Sequence, residues 1–349
     1  MGGFVTYTQG LVSALLDIGR HEYLIYTSHL TQLANAWKVM PLTPPLRLPL
    51  VGQVMREQWS LGRQLQRDSP ELVHFLCNTA PLRCSTPFVI TLHDLLQLDP
   101  PPAHSSLAHV MTNTYSAIAI SSAVRRARAI IAPSDWVAEE ITRRLGVPDS
   151  RVHVTRSGLR QVFRPDGNSR SGKYVLALAS SDPRKNVEGV LLAFRALSED
   201  VRSQLKVVVV ATNERASQLV VNASVRCRVV VEIVQSPTHE ELATLYRGAA
   251  ALVFLSTGEG FGLPVLEAMA CGAPVVMSKI RVLQETSGGA ALAVDPFDPG
   301  AAASAIQSIL TSTDVRSDLV QRGLKRSGQF SWSACARATE RVYEDAIAW

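Results

Sequence analysis

The feature that most constrains the fold of this chain is an alternation of short apolar runs with longer amphipathic segments. Short runs rich in Val, Ile and Leu are typical of strands that are buried on both faces of a parallel sheet. The alternation therefore predicts βαβ units and an α/β fold. The predicted strands are Tyr23–Thr27, Leu72–Leu76, Phe88–Leu92, Ala129–Ala132, Tyr174–Leu178, Leu205–Val210, Val229–Val234, Ala251–Leu255 and Pro274–Ser278.

The segments between these strands predict helices, and one polar segment divides the chain. The predicted helices are Val5–Ile18, Ser116–Arg128, Thr238–Gly248, Pro264–Cys271, Pro299–Leu310 and Ser331–Trp349. The stretch Arg160–Lys173 is rich in polar residues and is predicted to be a linker. Two α/β halves in tandem predict two facing Rossmann-like domains, with a ligand in the cleft at the carboxyl ends of the strands. We expect domains at residues 1–165 and 166–330, followed by a C-terminal helix at residues 331–349.

The composition is that of a globular protein and separates the function classes only weakly. The chain is 46% hydrophobic and 19% charged, with a net charge of +5. This charge is compatible with phosphate-bearing ligands or an anionic membrane surface, and equally with neither. A nucleic-acid-binding protein is not indicated, because no basic and aromatic interleaving accompanies the charge.

The cysteines and the apolar runs bear on the cellular location. The five cysteines form no CxxC pair, which favours a reducing compartment. The run Val207–Ala211 has the length of a strand and is too short to span a bilayer, and the N-terminus lacks the basic leader of a signal peptide. We therefore expect a cytoplasmic protein. Peripheral association with the inner face of the cell membrane stays open at this point.

One strand–loop–helix segment of the second half predicts an anion site. The strand Ala251–Leu255 leads through a glycine-rich loop to a helix that begins at Pro264, a residue suited to the first helical position. The backbone N–H groups near Gly262, Leu263 and Val265 are expected to point out of the N-terminus of this helix. Such a terminus binds anions, and a diphosphate fits it.

Two glutamates and further glycines complete the segment. Gly260 and Gly262 let the backbone approach a ligand closely. Gly272 follows the helix at a position suited to a left-handed residue. Glu259 precedes the helix at the mouth of the site, and Glu267 is predicted on its first turn, where the helix dipole stabilises a carboxylate. Either glutamate alone has an ordinary structural explanation, so the whole string carries the functional prediction.

A dinucleotide-binding protein is the first alternative to consider for a glycine-rich loop before a helix. The segment Gly258–Gly262 reads G-x-G-x-G, whereas the dinucleotide fingerprint is G-x-G-x-x-G. It also lies late in the chain, after a complete α/β half, whereas the fingerprint belongs to the first βα turn of its fold. A dehydrogenase is therefore not favoured.

The string Glu259–Glu267 resembles the EX7E motif of retaining glycosyltransferase family 4, and Ala268–Val276 continues the resemblance. The stretch Asp182–Asn186 matches the same family, in which a basic residue at the position of Lys185 contacts the donor diphosphate. The resemblance implies the GT-B fold, with a C-terminal helix that crosses back onto the first domain. It implies that no metal ion or other cofactor is needed, and no metal-binding cluster is visible in the sequence.

The same resemblance implies roles for individual residues. The donor would be bound by residues of the two strand-end stretches, namely Arg184, Lys185, Gly260, Phe261, Gly262, Leu263 and Glu267. Glu267 would bind the donor ribose, and Glu259 would orient the donor sugar and stabilise positive charge at its anomeric carbon. In the first half, His93 is expected to be an active-site residue near the sugar and the acceptor. The stretch Asn78–Leu82 resembles an acceptor-side loop of polysaccharide-building members.

The start of the chain departs from the family pattern. The family begins with a strand, then a loop with a Gly-Gly pair, then a helix that contains a tyrosine. Here the sequence opens at Met1-Gly2-Gly3, so the first strand of the N-terminal sheet is expected to be missing. Gly2 and Gly3 occupy the loop that normally approaches the donor phosphates and the acceptor, and they are predicted to contribute to donor binding.

The implied reaction moves a hexose from a nucleoside diphosphate sugar to a hydroxyl of a glycan or lipid-linked acceptor, with retention of configuration. Mannose is suggested by the resemblance to enzymes of lipopolysaccharide and exopolysaccharide synthesis. The alternative is a catalytically impaired paralogue that binds sugar nucleotides or scaffolds polysaccharide synthesis. The expected partners are thus the donor and the acceptor, with an anionic membrane surface as an open option and no nucleic acid.

Overall fold

The computed structural model describes residues 3–27, 38–41, 54–100 and 107–349. Contacts divide the chain into two units. The N-terminal unit comprises Leu11–Arg156 with Ser333–Trp349, and the C-terminal unit comprises Met1–Gly10 with Ser157–Trp332. The domain boundaries expected from the sequence stay a prediction.

The described strands and helices alternate along most of the chain. The strands are β1 (Leu24–Thr27), β2 (Lys38–Pro41), β3 (Val73–Phe75), β4 (Phe88–Thr91), β5 (Ala129–Ala132), β6 (Val152–Val154), β7 (Tyr174–Ala179), β8 (Lys206–Ala211), β9 (Val231–Gln235), β10 (Ala251–Phe254), β11 (Val275–Ser278) and β12 (Leu292–Val294). The helices are α1 (Gly3–Ile18), α2 (Gly62–Asp68), α3 (Leu107–Arg126), α4 (Asp135–Leu145), α5 (Val187–Arg195), α6 (Glu199–Arg202), α7 (Glu214–Cys227), α8 (His239–Gly248), α9 (Leu263–Ala270), α10 (Arg281–Ser287), α11 (Pro299–Thr311), α12 (Thr313–Ser327) and α13 (Trp332–Ala348). A π-helix at Arg56–Leu61 leads directly into α2.

The N-terminal unit is built on parallel strands that form two separate sheets. One has the order β3–β4–β5–β6, and the other contains β1 and β2. Every residue of β4 and β5 is buried, as expected for apolar strands in the middle of a parallel sheet. Within the described residues, no strand pairing joins β1 or β2 to β3.

The C-terminal helix α13 completes the N-terminal unit. The hydroxyl of Tyr343 lies 2.6 Å from Nδ1 of His74 in β3, and Arg128 donates a 2.6 Å hydrogen bond to the carbonyl of Ala346. Cys335 is buried in the same helix. These contacts fix α13 to the start of β5 and to β3.

The C-terminal unit contains one parallel sheet of six strands in the order β12–β11–β10–β7–β8–β9. The strands β7 and β8 pair along their whole length, with Val175 opposite Val207 and Ala179 opposite Ala211. Valine, alanine and leucine fill the core between the sheet and its helices, and Val207, Val209 and Val253 are almost completely buried. Two Rossmann-like halves are therefore present, as the alternation predicted.

The predicted elements are found, with shifts at their ends and several omissions. All nine predicted strands are present. The strands that the sequence did not indicate are short, such as β6 and β12 with three residues each. Helix α3 begins at Leu107, well before the predicted Ser116. Within the described residues, no helix combines the length and the apolar character that crossing a membrane requires.

Candidate active site

Two strand-end loops bring the predicted donor-site residues together in the C-terminal unit. Lys185 follows β7 and Glu259 follows β10, and these two strands are hydrogen-bonded neighbours. The chain proceeds from β7 to β8 and β9 on one side, and then places β10, β11 and β12 on the other side. Ligands of open α/β sheets bind at the carboxyl ends of the strands where the strand order reverses in this way. The sheet topology thus indicates the same location as the motif.

Lys185 and Glu259 form an ion pair at this reversal. Nζ of Lys185 lies 2.6 Å from Oε1 of Glu259, and the two side chains are 25% and 13% exposed. The same Nζ lies 5.1 Å from the centre of the Phe254 ring, where a cation is attracted by the face of an aromatic ring. Removing either partner would leave a partly buried charge uncompensated, so each side chain holds the other in place.

Arg184 is adjacent to Lys185 but is held differently. Its Nε donates to both carboxylate oxygens of Asp182 at 2.9 Å, and its backbone N–H donates to the same carboxylate at 3.0 Å. Burial opposes the ionisation of Asp182, but the hydrogen bonds from Arg184 keep the pKa of Asp182 below its ordinary value. The carbonyl of Arg184 accepts a 2.9 Å hydrogen bond from Thr257 N–H, which joins the two loops. A contact between Arg184 and the donor stays a prediction.

The buried residue Phe261 anchors the loop that precedes α9. The residue is 7% exposed, and its ring packs edge-on against Phe330, with ring centres 5.7 Å apart. Its carbonyl accepts a hydrogen bond from the hydroxyl of Thr286. Phe261 was predicted to bind the donor, and with its ring turned into the core only its backbone is left for that contact. Gly260, also predicted to bind the donor, lies in the same loop directly after Glu259.

Gly262 ends this loop and caps α9 in a left-handed conformation, with φ +97° and ψ +43°. Among the described residues, none accepts a hydrogen bond from the N–H groups of Gly262 or Leu263. The N–H of Val265, by contrast, donates to the carbonyl of Gly262 at 3.0 Å. The prediction that Val265 offers its N–H to a ligand is therefore wrong, because the tight turn at the helix start already uses it. The other two groups retain the anion-binding capacity of a helix N-terminus.

Replacing Gly262 with Ala should lower the free energy of unfolding. A side chain at this φ is strained, and its Cβ would lie 2.5 Å from Cδ2 of Leu283; we expect a loss of about 2–4 kcal/mol. Gly272, at the other end of α9, is a matched control: its φ is +76°, but an added Cβ would only touch its neighbours. Urea titrations of both variants measure the difference. Equal losses for the two variants would contradict the close packing at Gly262.

Glu267 is not on the first turn of α9, as the sequence predicted, because the helix begins at Leu263 and the carboxylate belongs to the second turn. The side chain is buried, and the residue is only 8% exposed. Burial raises its pKa to about 7 in spite of a hydrogen bond from Tyr246 and the positive charge of Arg160. The stabilising effect of the helix dipole is confined to the first turn, so burial outweighs it here.

Tyr246 and Arg160 are the neighbours of Glu267 that sequence reasoning missed as site residues. The Tyr246 hydroxyl donates to Oε2 of Glu267 at 3.1 Å. Arg160 donates a hydrogen bond to Gln9 in α1, and burial lowers the pKa of its guanidinium while Glu267 raises it. The sequence signal that could have identified Tyr246 is a tyrosine on the buried face of a predicted helix, because a buried tyrosine hydroxyl needs a hydrogen-bond partner. Arg160 lies at the start of the segment that was predicted to be a linker.

Replacing Glu267 with Gln should change how stability depends on pH. The carboxyl titrates near 7 in the folded protein and near its ordinary value of 4.5 when unfolded. The folded state therefore binds more protons between these values, and this group makes the wild-type protein less stable as the pH rises from 4.5 to 7. Relative to wild type, Glu267→Gln should gain about 3 kcal/mol over that interval. A difference between the two proteins that stays constant with pH would contradict the raised pKa.

The remaining predicted residues are His93, Gly2 and Gly3. His93 belongs to the N-terminal unit, where its Nε2 donates to the carbonyl of Leu76 at 3.0 Å and its backbone N–H donates to Asn78 at 2.8 Å. Burial lowers the pKa of His93 to about 4, so the ring is neutral at physiological pH. Gly3 is the first residue of α1 and belongs to the C-terminal unit. Gly2 lies outside the described residues. The catalytic role of His93 and the donor contacts of both glycines stay predictions.

Comparisons with known protein families cover both halves of the chain. The model of "Glycosyltransferase Family 4" matches residues 1–160, and the model of "Glycosyl transferases group 1" matches residues 160–326. The chain is 29% identical to O-antigen chain mannosyltransferase B of Escherichia coli over 270 residues, which cover 73% of this chain and 70% of that protein. It is 28% identical to O-antigen chain mannosyltransferase RfbU of Salmonella typhimurium over 265 residues, which cover 75% and 71%.

Solved structures share the fold. Sucrose-phosphate synthase from Thermosynechococcus elongatus superimposes with a TM-score of 0.77 at 23% identity, over 99% of this chain and 94% of that one. Anabaena HepE in complex with UDP-glucose superimposes with a TM-score of 0.73 at 16% identity, over 100% and 97%. At these identities the likeness establishes the GT-B fold. The two family models together match residues 1–326, so the chain belongs to glycosyltransferase family 4 and is a glycosyltransferase.

Proposed function

We propose that this glycosyltransferase moves a hexose from a nucleoside diphosphate sugar to a hydroxyl of a glycan or lipid-linked acceptor, with retention of configuration at the anomeric carbon. The observation that carries the proposal is the Lys185–Glu259 pair, 2.6 Å apart at the carboxyl ends of β7 and β10. The N-terminus of α9 begins in the same loop as Glu259. A cation, a carboxylate and unused backbone donors suit a substrate that joins a diphosphate to a sugar.

The diphosphate would lie against the N-terminus of α9. When the bond between the anomeric carbon and the phosphate oxygen breaks, the diphosphate leaves with the bonding electrons and gains negative charge. The N–H groups of Gly262 and Leu263 and the ammonium group of Lys185 would stabilise that charge. Donors fixed before the reaction are effective because they need no reorganisation at the moment of bond cleavage.

Glu259 would act on the sugar side of the breaking bond. Its carboxylate would accept hydrogen bonds from the donor sugar and stabilise the positive charge that develops at the anomeric carbon. The position of Glu259 beside Lys185 supports this assignment of roles, because the lysine can interact with the carboxylate and with the leaving phosphate at once. Lys185 would thereby reduce the repulsion between two negative groups that the reaction needs close together.

Glu267 would bind the ribose of the donor. It is a buried acceptor beyond the diphosphate site on the same helix, and ribose hydroxyls are donors that can satisfy it. Mannose is the first candidate for the sugar, because the relatives described above are mannosyltransferases. A cytoplasmic location belongs to the same proposal, and the net charge of +5 is compatible with peripheral association at the inner face of the cell membrane. No observation on the described residues favours the non-catalytic alternative.

The proposal is tested by donor binding followed by transfer. Melting temperatures would be measured with GDP-mannose, UDP-glucose and ADP-glucose, and the stabilising donor would be incubated with octyl α-D-mannopyranoside. We expect one nucleotide to raise the melting temperature and the product to keep the anomeric configuration of the donor, as read by NMR. An inverted product would contradict retention. The absence of any stabilising donor, together with no release of diphosphate, would contradict the donor site.

A further inference from the structure

Beyond the residues that would contact the donor, one buried contact links two helices of the C-terminal unit. Tyr246 lies on α8, and Glu267 lies on α9. Tyr246 is completely buried, and its hydroxyl donates to Oε2 of Glu267 at 3.1 Å. A hydroxyl that is buried without a partner costs more than its hydrogen bond contributes, so the two side chains depend on each other.

The tyrosine is itself fixed by its surroundings. The ring of Phe163 packs edge-on against Tyr246, with ring centres 5.9 Å apart. Helix α8 begins with a capping box in which Thr238 and Glu241 satisfy each other's backbone N–H groups. Such capping fixes the start of a helix. The Tyr246 hydroxyl therefore reaches Glu267 from a rigid support.

The two carboxylate oxygens of Glu267 differ in their hydrogen bonding. Within the described residues, no group donates a hydrogen bond to Oε1 of Glu267. Arg160 acts on Glu267 through its charge, but its guanidinium donates to Gln9. An ionised carboxylate can accept about four hydrogen bonds, and Tyr246 accounts for one of them on the opposite oxygen.

We propose that Tyr246 is a positioning residue of the donor site, which holds Oε2 of Glu267 so that Oε1 meets the ribose hydroxyls of the nucleotide. This inference rests on the proposed function, because it takes the ribose contact of Glu267 as given. It adds a residue that would not touch the donor itself. Its role would be to fix the rotamer of a carboxylate whose one hydrogen bond among the described residues comes from Tyr246.

The protonation of Glu267 makes the role of Tyr246 measurable. The described groups that act on this carboxyl are Tyr246 and Arg160, and the charge of Glu267 in turn raises the pKa of the Cys271 thiol. Burial raises the pKa of Glu267 to about 7, and the hydrogen bond from Tyr246 lowers it. Nucleotide affinity should therefore increase as the pH rises through about 7 in the wild-type protein. Without the tyrosine hydroxyl, the midpoint of that change should move to higher pH.

The chain offers a matched control for a Tyr246→Phe variant. Tyr174 is also a buried tyrosine of the C-terminal unit, 2% exposed, and its hydroxyl donates to the carbonyl of Leu245 at 2.6 Å. Tyr174→Phe thus removes a buried hydroxyl and its hydrogen bond next to α8, but touches no site residue. If the Tyr246 contact served only to join two helices, both variants would lose stability and neither would change nucleotide binding specifically.

The experiment measures the affinity of wild type, Tyr246→Phe and Tyr174→Phe for GDP, UDP and ADP and for their 2′,3′-dideoxy forms by calorimetry between pH 6 and 8.5. The dideoxy form removes the ribose hydroxyls and leaves the diphosphate. We expect Tyr246→Phe to bind the preferred nucleotide about 10- to 100-fold more weakly. This factor corresponds to the energy of one hydrogen bond to a charged group. Tyr174→Phe should match wild type.

The dideoxy nucleotide distinguishes the outcomes. We expect the dideoxy nucleotide to bind wild type and Tyr246→Phe with about the same affinity, because it lacks the ribose hydroxyls that Glu267 would bind. If Tyr246→Phe weakens the ribo and dideoxy nucleotides by the same factor, or leaves both affinities unchanged, the positioning role is wrong. If wild type binds none of the nucleotides, the proposed function itself has failed. If wild type binds the two forms equally, the ribose contact of Glu267 has failed and the inference with it.

Discussion

Replacing Glu259 with Gln is expected to lower kcat/KM for sugar transfer by about 100- to 1,000-fold, the loss typical of one preorganised electrostatic group in an active site. The variant keeps the shape of the side chain and removes its negative charge. Lys185 then loses the partner that lies 2.6 Å from its Nζ, and the anomeric carbon loses the carboxylate that would stabilise it. The measurement is the steady-state rate of transfer, with the melting temperature recorded in parallel.

The control for this prediction is a second glutamate of the C-terminal unit. Glu188 forms an ion pair with Arg226 on the surface, with the two side chains 46% and 58% exposed. Exposed pairs contribute little, so Glu188→Gln should leave transfer and stability unchanged. Full activity in Glu259→Gln would remove the basis for assigning the site. Equal losses of activity in both variants would show that the effect of Glu259 is not specific.

Replacing Lys185 with Ala is expected to weaken donor binding by about 10- to 100-fold, as the loss of a charge-assisted contact to the diphosphate. The Lys185 ammonium lies at the end of β7, beside the loop that leads to α9. Arg184→Ala is the informative comparison, because the guanidinium of Arg184 is bound by Asp182. That variant should lose less donor affinity. Calorimetric titration of nucleoside diphosphates into both variants measures the difference.

Lys185→Ala also removes the partner of Glu259, and a double variant separates the two effects. If the pair acts as one unit, the double variant Lys185→Ala/Glu259→Gln should raise the activation free energy of transfer by less than the sum of the increases in the two single variants. A strictly additive result would mean that the ion pair seen here is unrelated to catalysis. A larger loss of donor affinity in Arg184→Ala than in Lys185→Ala would contradict the assignment of the diphosphate contact.

The part of the site that could be predicted from sequence is the part that depends on local structure. The strand–loop–helix order from Ala251 to Cys271 is visible in the residues themselves, because a buried strand, a glycine turn and a helix-start proline follow one another. The left-handed conformation predicted at Gly272 is present. The pairing of β7 with β10 was not read from the sequence, and yet it is the contact that brings Lys185 to Glu259.

The errors have physical causes that also lie in tertiary structure. Glu267 was placed one turn too early because the helix begins at Leu263, and its burial then reverses the expected effect on its pKa. The contact between Tyr246 and Glu267 joins residues on different helices, so no local pattern reveals it. Strands such as β6 and β12 are too short for their apolar residues to form a recognisable run, and pairing with a neighbouring strand defines them.

The central claim is that a nucleoside diphosphate binds at the N-terminus of α9, where the N–H groups of Gly262 and Leu263 point at its phosphates. The most direct measurement is a titration of ¹⁵N-glycine-labelled protein with GDP, UDP and ADP, followed by amide NMR. The chain has 21 glycines, and Gly272 at the other end of α9 is an internal reference. We predict that the amide resonance of Gly262 shifts with saturation while that of Gly272 does not. Binding that leaves Gly262 unchanged, or no binding of any of the three nucleotides, would contradict the claim.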